Sequence, residues 1–119
     1  MSRREAEVSL RQMRDYAQEA MAMVRDRVRA DLDSDRMLNL ALVRLLEILG
    51  EAANRIPPED RDKYSQIPWS QLISLRNRLI HGYDQVDFDI LWQILTQDLP
   101  PLVAELDDIV PPSREDRRP

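Results

Sequence analysis

The chain contains no cysteine, so neither a disulfide framework nor a thiolate metal site can be built from it. Glycine is nearly as scarce, with Gly50 and Gly82 alone in 119 residues, and aromatic residues make up only 5%. With β-branched residues also sparse, Leu and Arg are the commonest residues, and that composition favours helices over strands. No uninterrupted apolar run approaches the roughly 20 residues that cross a bilayer. The opening MSRREAEVSLRQ is charged and lacks the apolar core of a secretory leader. There is no phosphate-cradling glycine loop and no His/Asp/Glu cluster at metal-ligand spacing, and one histidine excludes most nucleophilic triads. Positive charge is short as well: the formal net charge is −5. A general nucleic-acid binder usually presents a basic field, so any action on RNA here needs a local basic patch or a partner. The expectation is a soluble cytoplasmic protein with no membrane segment, no metal and no cofactor.

What is present is an ordinary globular balance, 43% hydrophobic and 33% charged. It predicts one helical domain over residues 1–110 and a disordered, charged, proline-rich tail over 111–119. A first helix is expected from about Arg4 to Leu32, on the spacing of Leu10, Met13, Ala17, Ala20, Val24 and Val28. Asp33, Ser34 and Asp35 offer caps for a second helix from about Arg36 to Ile56, which Pro57-Pro58 stops. After a loop from Glu59 to Ile67, Pro68 opens a third helix running to about His81, with Gly82 as its terminal glycine. Asp87 caps a fourth helix, which Pro100-Pro101 should kink or split.

The second helix is unusual. Its apolar side chains cover about 240° of the wheel at 100° per residue, leaving a polar stripe of Arg44, Glu47, Glu51, Asn54 and Arg55. Two readings fit: a central helix surrounded by its companions, or one that also buries a face in a homodimer. Gly50 inside it costs about 1 kcal/mol relative to alanine, which is sensible where another backbone approaches closely.

The third helix carries the candidate chemistry. Arg76 falls in the middle of an apolar arc formed by Leu72, Leu75, Leu79, Trp69, Ile73, Ile80 and Tyr83. A guanidinium there must meet a carboxylate, reach a subunit boundary or line a cavity. A buried ion pair with Glu47 or Glu51 is the simplest expectation. His81 lies four residues from Asn77, on one flank of an ideal helix, but about 140° from Arg76. One straight helix does not aim Arg76 and His81 at a single atom. Either the helix unwinds near Gly82, or two subunits face each other. Taken alone, His81 reads as a helix-end residue and Tyr83 as a core ring with its hydroxyl at the rim.

The stretch Arg76-Asn77-Arg78-Leu79-Ile80-His81-Gly82-Tyr83 reads as R-x4-H-x-Y and resembles the signature of HepT-like proteins of the HEPN superfamily. Leu49-Gly50-Glu51-Ala52-Ala53, Ile67-Pro68-Trp69, Val86-Asp87, Leu91-Trp92 and Asp98-Leu99-Pro100 resemble the flanking segments in register. The resemblance implies an all-α, antiparallel four- to five-helix bundle that forms a homodimer and places two R-x4-H motifs in one cleft. It implies a toxin that cleaves RNA without a metal, paired with an MNT-type nucleotidyltransferase antitoxin. Arg76 and His81 would then be catalytic, with Asn77 orienting the phosphate or the histidine. Tyr83 would be the residue that the antitoxin adenylylates. Arg44, Arg55, Arg76 and Arg78 are expected to line a basic cleft, with Glu47 and Glu51 in support. The alternative is a non-catalytic helical module that presents Tyr83 and the cleft to the nucleotidyltransferase.

Overall fold

The computed structural model describes residues 1–81 and 85–110, and of His81 the backbone only. The expected charged tail, residues 111–119, lies outside them. The described chain is all-α apart from one short two-stranded ladder.

Helix α1 (Arg3–Met23) starts at Ser2, whose hydroxyl accepts from the backbone N–H of Glu5 at 3.1 Å. Its buried stripe includes Ala6, Leu10, Met13, Ala17 and Ala20. The helix stops nine residues short of the expected Leu32. A turn follows, then the short α2 (Asp31–Ser34), with Val28 63% exposed and Leu32 fully buried. Packing on α3 (Arg36–Arg55) rewards the turn: it buries Leu32, whose carbonyl accepts from the Asn39 amide at 2.8 Å. Asp31 accepts from the Val28 N–H at 2.8 Å and tightens the turn.

Helix α3 begins where its cap predicts: the Asp35 carboxylate accepts from the Leu38 N–H at 3.0 Å. It ends before Pro57, and Arg61 of α4 (Pro58–Arg61) donates to the Ile56 carbonyl at 2.6 Å, satisfying a terminal acceptor. At the same end Arg55 donates to Gln12 in the middle of α1 at 3.2 Å and shares a pocket with Arg4, Glu5 and Val8 of its first half, so α1 and α3 run antiparallel. α3 is the central helix. It buries Leu38, Leu42, Leu46, Leu49, Ala52 and Ala53 against α1, α5 (Trp69–Ile73) and α6 (Leu75–Leu79). That accounts for most of its wide apolar arc, but Met37 (83% exposed) and Leu40 (52%) remain uncovered.

The last helical stretch is α7 (Phe88–Gln93), a π-helical turn (Ile94–Asp98) and α8 (Leu99–Ile109). Pro100-Pro101 does not split it: the helical path is continuous from Phe88 to Ile109. The Leu99 N–H bonds back to the Ile94 carbonyl, five residues away, and this wider turn gives the proline rings room in place of a break. α8 returns along α1, where Asp107 lies 3.8 Å from the buried guanidinium of Arg14, which also contacts Asp15 at 3.3 Å. One continuous core joins these elements, from Leu10 and Met13 through Leu46 and Leu49 to Leu102 and Leu106. Among the described residues, no helix is long and apolar enough to cross a membrane.

Candidate active site

The expected third helix is three pieces. α5 ends at Ser74, whose hydroxyl donates to the carbonyls of Ser70 (2.7 Å) and Gln71 (3.3 Å). Such a back-bonded serine bends a helix. α6 carries Arg76, Asn77 and Arg78 and ends at Leu79, because Ile80 adopts an extended backbone (φ −105°, ψ 120°). Ile80–His81 (β1) then pairs antiparallel with Gln85–Val86 (β2), Ile80 opposite Val86 and His81 opposite Gln85. The Leu79 carbonyl accepts from the Asp87 N–H at 2.8 Å and closes this hairpin at its base. His81 is therefore a strand residue, and its expected helical pairing with Asn77 is corrected. The extended preference of a β-branched residue, followed by a ladder partner, outweighs continuation of the helix. Unwinding begins at Ile80, two residues before the expected Gly82. Gly82 and Tyr83, with Asp84, lie outside the described residues.

Gly50 of α3 meets α5 at close quarters. A Cβ there would stand 2.8 Å from the Leu72 carbonyl oxygen, so the close backbone approach inferred from this glycine is real and lies within the chain.

Beside this contact a groove of about 220 Å³ opens between α3 and α5–α6, lined by Glu47, Gly50, Glu51, Asn54, Ile73 and Arg76 among others. Arg76 is exposed and lines this groove. The expected buried ion pair is not formed. Among the described residues no carboxylate lies within ion-pair reach of Arg76, and Glu47 and Glu51 each contact Nη1 of Arg44 at 3.6 Å. The bend at Ser74 shifts the phase of the wheel, so Leu75 and Leu79 take the core while Arg76 faces out.

Two arginines of the expected basic lining are neutralised: Arg44 sits between two glutamates, and Nη2 of Arg78 bonds Oδ2 of Asp98 at 3.1 Å. Arg55 keeps its charge but lines a different pocket, beside Gln12 of α1. Asn77 is exposed on α6. The Asp98 contact had no sequence signal, since its partner is twenty residues away on another helix. Asn54 likewise joins the groove only because α5 folds across α3.

At the far side of the hairpin, Asp87 caps α7, accepting from the N–H groups of Asp89 and Ile90. Arg29 braces this end, donating to Asp89 at 2.7 Å and Asp33 at 2.9 Å, with its guanidinium 5.9 Å from the Phe88 ring centre. The hydrogen bond to Asp89 pushes the Arg29 guanidinium above its ordinary range, against a lowering by burial and with further help from Asp33. Among the described residues no group of three or more acidic, histidine or cysteine side chains is placed to hold a metal ion.

Residues 13–109 match the family model described as ribonuclease HepT-like. The chain is 32% identical over 107 residues to a proposed RNase of Methanocaldococcus jannaschii, covering 90% of this chain and 98% of that protein. It is 38% identical over 80 residues to a proposed RNase of Caldanaerobacter subterraneus subsp. tengcongensis (67% and 71% covered). It is also 34% identical over 79 residues to a proposed ribonuclease HepT of Thermococcus cleftensis (66% and 72%). No solved structure matches it. With the family model spanning most of the bundle, α3, the broken motif helix and the hairpin included, this chain belongs to the ribonuclease HepT-like family.

Proposed function

We propose that this protein is the toxin of a HepT/MNT-type toxin–antitoxin pair, a metal-independent endoribonuclease acting as a homodimer. The observation that carries the reading is the unwinding of the motif helix at Ile80. It takes His81 off the helix that holds Arg76, and so removes the 140° separation that a straight helix would impose.

In the proposed reaction the ribose 2′-hydroxyl attacks the adjacent phosphorus while His81 of one subunit accepts its proton. The bond to the 5′-oxygen breaks, leaving a 2′,3′-cyclic phosphate, and the leaving oxygen takes a proton from an acid such as the partner's protonated histidine. Arg76 stabilises the charge on the phosphorane oxygens, a role suited to a planar cation. Asn77 orients the phosphate. Dimerisation would bring two such motifs together, and the uncovered Met37 and Leu40 of α3 support a second copy as their cover. The antitoxin would transfer AMP from ATP to the Tyr83 hydroxyl with release of pyrophosphate, and the added bulk and negative charge would repel RNA.

The non-catalytic reading draws on one observation: with Arg44 and Arg78 engaged by acids, little free positive charge attracts RNA. Growth after induction of the chain alone separates the two. Arrest with cleaved RNA, lost in His81→Ala and in Arg76→Ala variants of equal folding and dimerisation, supports the nuclease. Normal growth with the intact chain overturns it.

A further inference from the structure

We propose that the groove between α3 and α5–α6 is a subsite for one nucleobase, selective for a base that presents two adjacent hydrogen-bond donors, as guanine does. The inference rests on the ribonuclease reading: Arg76 holds the phosphate, and the groove takes the base of that nucleotide.

Size and charge point the same way. The groove holds about 220 Å³, below the roughly 300–1,000 Å³ of pockets for drug-sized ligands, and so suits one planar ring system. Two carboxylates and a guanidinium line it without pairing across it. Glu47 and Glu51 each use one oxygen on Arg44, through Oε2 and Oε1 respectively. Neither glutamate pairs with Arg76, whose guanidinium has no ion-pair or hydrogen-bond partner among the described residues. The Arg44 contacts are long and Arg44 is 61% exposed, so a ligand competes with them at little cost.

An anion alone meets repulsion from the glutamates, and a cation alone meets repulsion from Arg76. With the phosphate on Arg76, a neutral ring that turns a donor edge to the glutamates satisfies the carboxylate wall. Guanine offers N1–H and the N2 amino group side by side to a carboxylate, and O6 and N7 as acceptors. Adenine and cytosine present one amino group beside an acceptor, which a second carboxylate oxygen repels. Uracil presents one N–H between two carbonyls. The Asn54 amide supplies either polarity, and the half-buried Ile73 gives the ring an apolar contact. Unpaired RNA bases are commonly read on this edge.

The test titrates the full chain with the 3′- and 5′-monophosphates of the four ribonucleosides, followed by NMR shifts. Wild type, Glu47→Gln/Glu51→Gln and Arg76→Ala are compared at equal thermal stability. Guanosine monophosphates should bind roughly 5- to 100-fold tighter than the others. That preference should collapse in the double glutamine variant, whereas Arg76→Ala should weaken all four alike. Equal binding of the four, no binding, or a preference surviving the double substitution overturns the proposal. Should that variant fail to fold, Arg44→Gln replaces it. By releasing both carboxylates it should sharpen the preference, and an unchanged preference overturns the proposal. RNA cleavage indifferent to the neighbouring base also overturns it. Guanine-selective binding without any cleavage overturns the nuclease reading and leaves the subsite standing.

Discussion

The backbone N–H of Asp87 donates to the carbonyl of Leu79 at 2.8 Å, joining the end of α6 to the cap of α7. The same residue's carboxylate accepts from the N–H groups of Asp89 and Ile90 at 3.0 and 3.1 Å. Asp87 thus fixes both sides of the hairpin that carries His81. Replacing Asp87 with alanine should cost about 1 kcal/mol through the lost cap. It should also raise amide exchange at Ile80 and Val86 before the rest of the bundle. Hydrogen exchange that rises uniformly, or not at all, would contradict this role.

Gly50→Ala should destabilise the fold by about 1–3 kcal/mol, even though alanine is the better helix former by about 1 kcal/mol. The new Cβ would stand 2.8 Å from the Leu72 carbonyl, a backbone atom that cannot rotate away. Urea unfolding of the two proteins checks the sign, and a stabilised variant would mean that α5 moves freely off α3.

Arg76 is exposed and carries no core contact that folding needs, so Arg76→Ala should leave thermal stability nearly unchanged. If the proposed chemistry holds, its RNA cleavage should fall roughly 100- to 1,000-fold, the usual loss when one oxyanion donor is removed. His81→Ala should lose a comparable or larger factor, about 100- to 10,000-fold. Lysine at position 76 should recover only part of the rate, since an ammonium cannot grip two phosphate oxygens as a guanidinium does.

The pair Arg78–Asp98 is about one-third exposed on both sides, so its coupling should be modest, about 0.5–1 kcal/mol in a double-mutant cycle. Its loss should nevertheless loosen α6 against the π-helical turn. A cycle giving no coupling at low salt would show the contact to be incidental.

Arg29 gives a prediction about pH. Its folded pKa is raised, so whatever stability it contributes is fully present below its unfolded pKa and is lost only as pH rises through the folded value, above the ordinary arginine range. Between about pH 6 and 9 this brace should therefore be insensitive to pH, while added salt should weaken its contacts to Asp89 and Asp33. A difference between wild type and Arg29→Gln that varies across that pH window would contradict it.

The sequence by itself determined the features that depend on near neighbours. The helical class follows from composition. The start of α3 follows from Asp35, its stop from Pro57-Pro58, and the cap of α7 from Asp87, because caps and prolines act within one turn of chain. Gly50 signalled a close approach, though not which backbone makes it. The family was legible because its motif residues and flanks stand at fixed spacing in the chain, which no folding event alters.

Tertiary structure decided the rest. α1 ends at Met23 and the chain turns so that Leu32 is buried on α3 with its carbonyl bonded to Asn39, a contact invisible in the periodicity through Val28. The motif helix bends at Ser74 and unwinds at Ile80 because a ladder to Gln85–Val86 and a bond to Asp87 reward the extended path. Helical wheels assume one straight axis, so they placed Arg76 in the core and Asn77 beside His81. Once the axis breaks, Arg76 faces a groove whose opposite wall lies about thirty residues earlier in the chain. Which arginines are neutralised was equally unreadable: Arg78 finds Asp98, and Glu47 and Glu51 turn to Arg44, only through the packing of separate helices. Local chemistry sets where helices begin and end, but the field around a charged side chain belongs to the assembled fold.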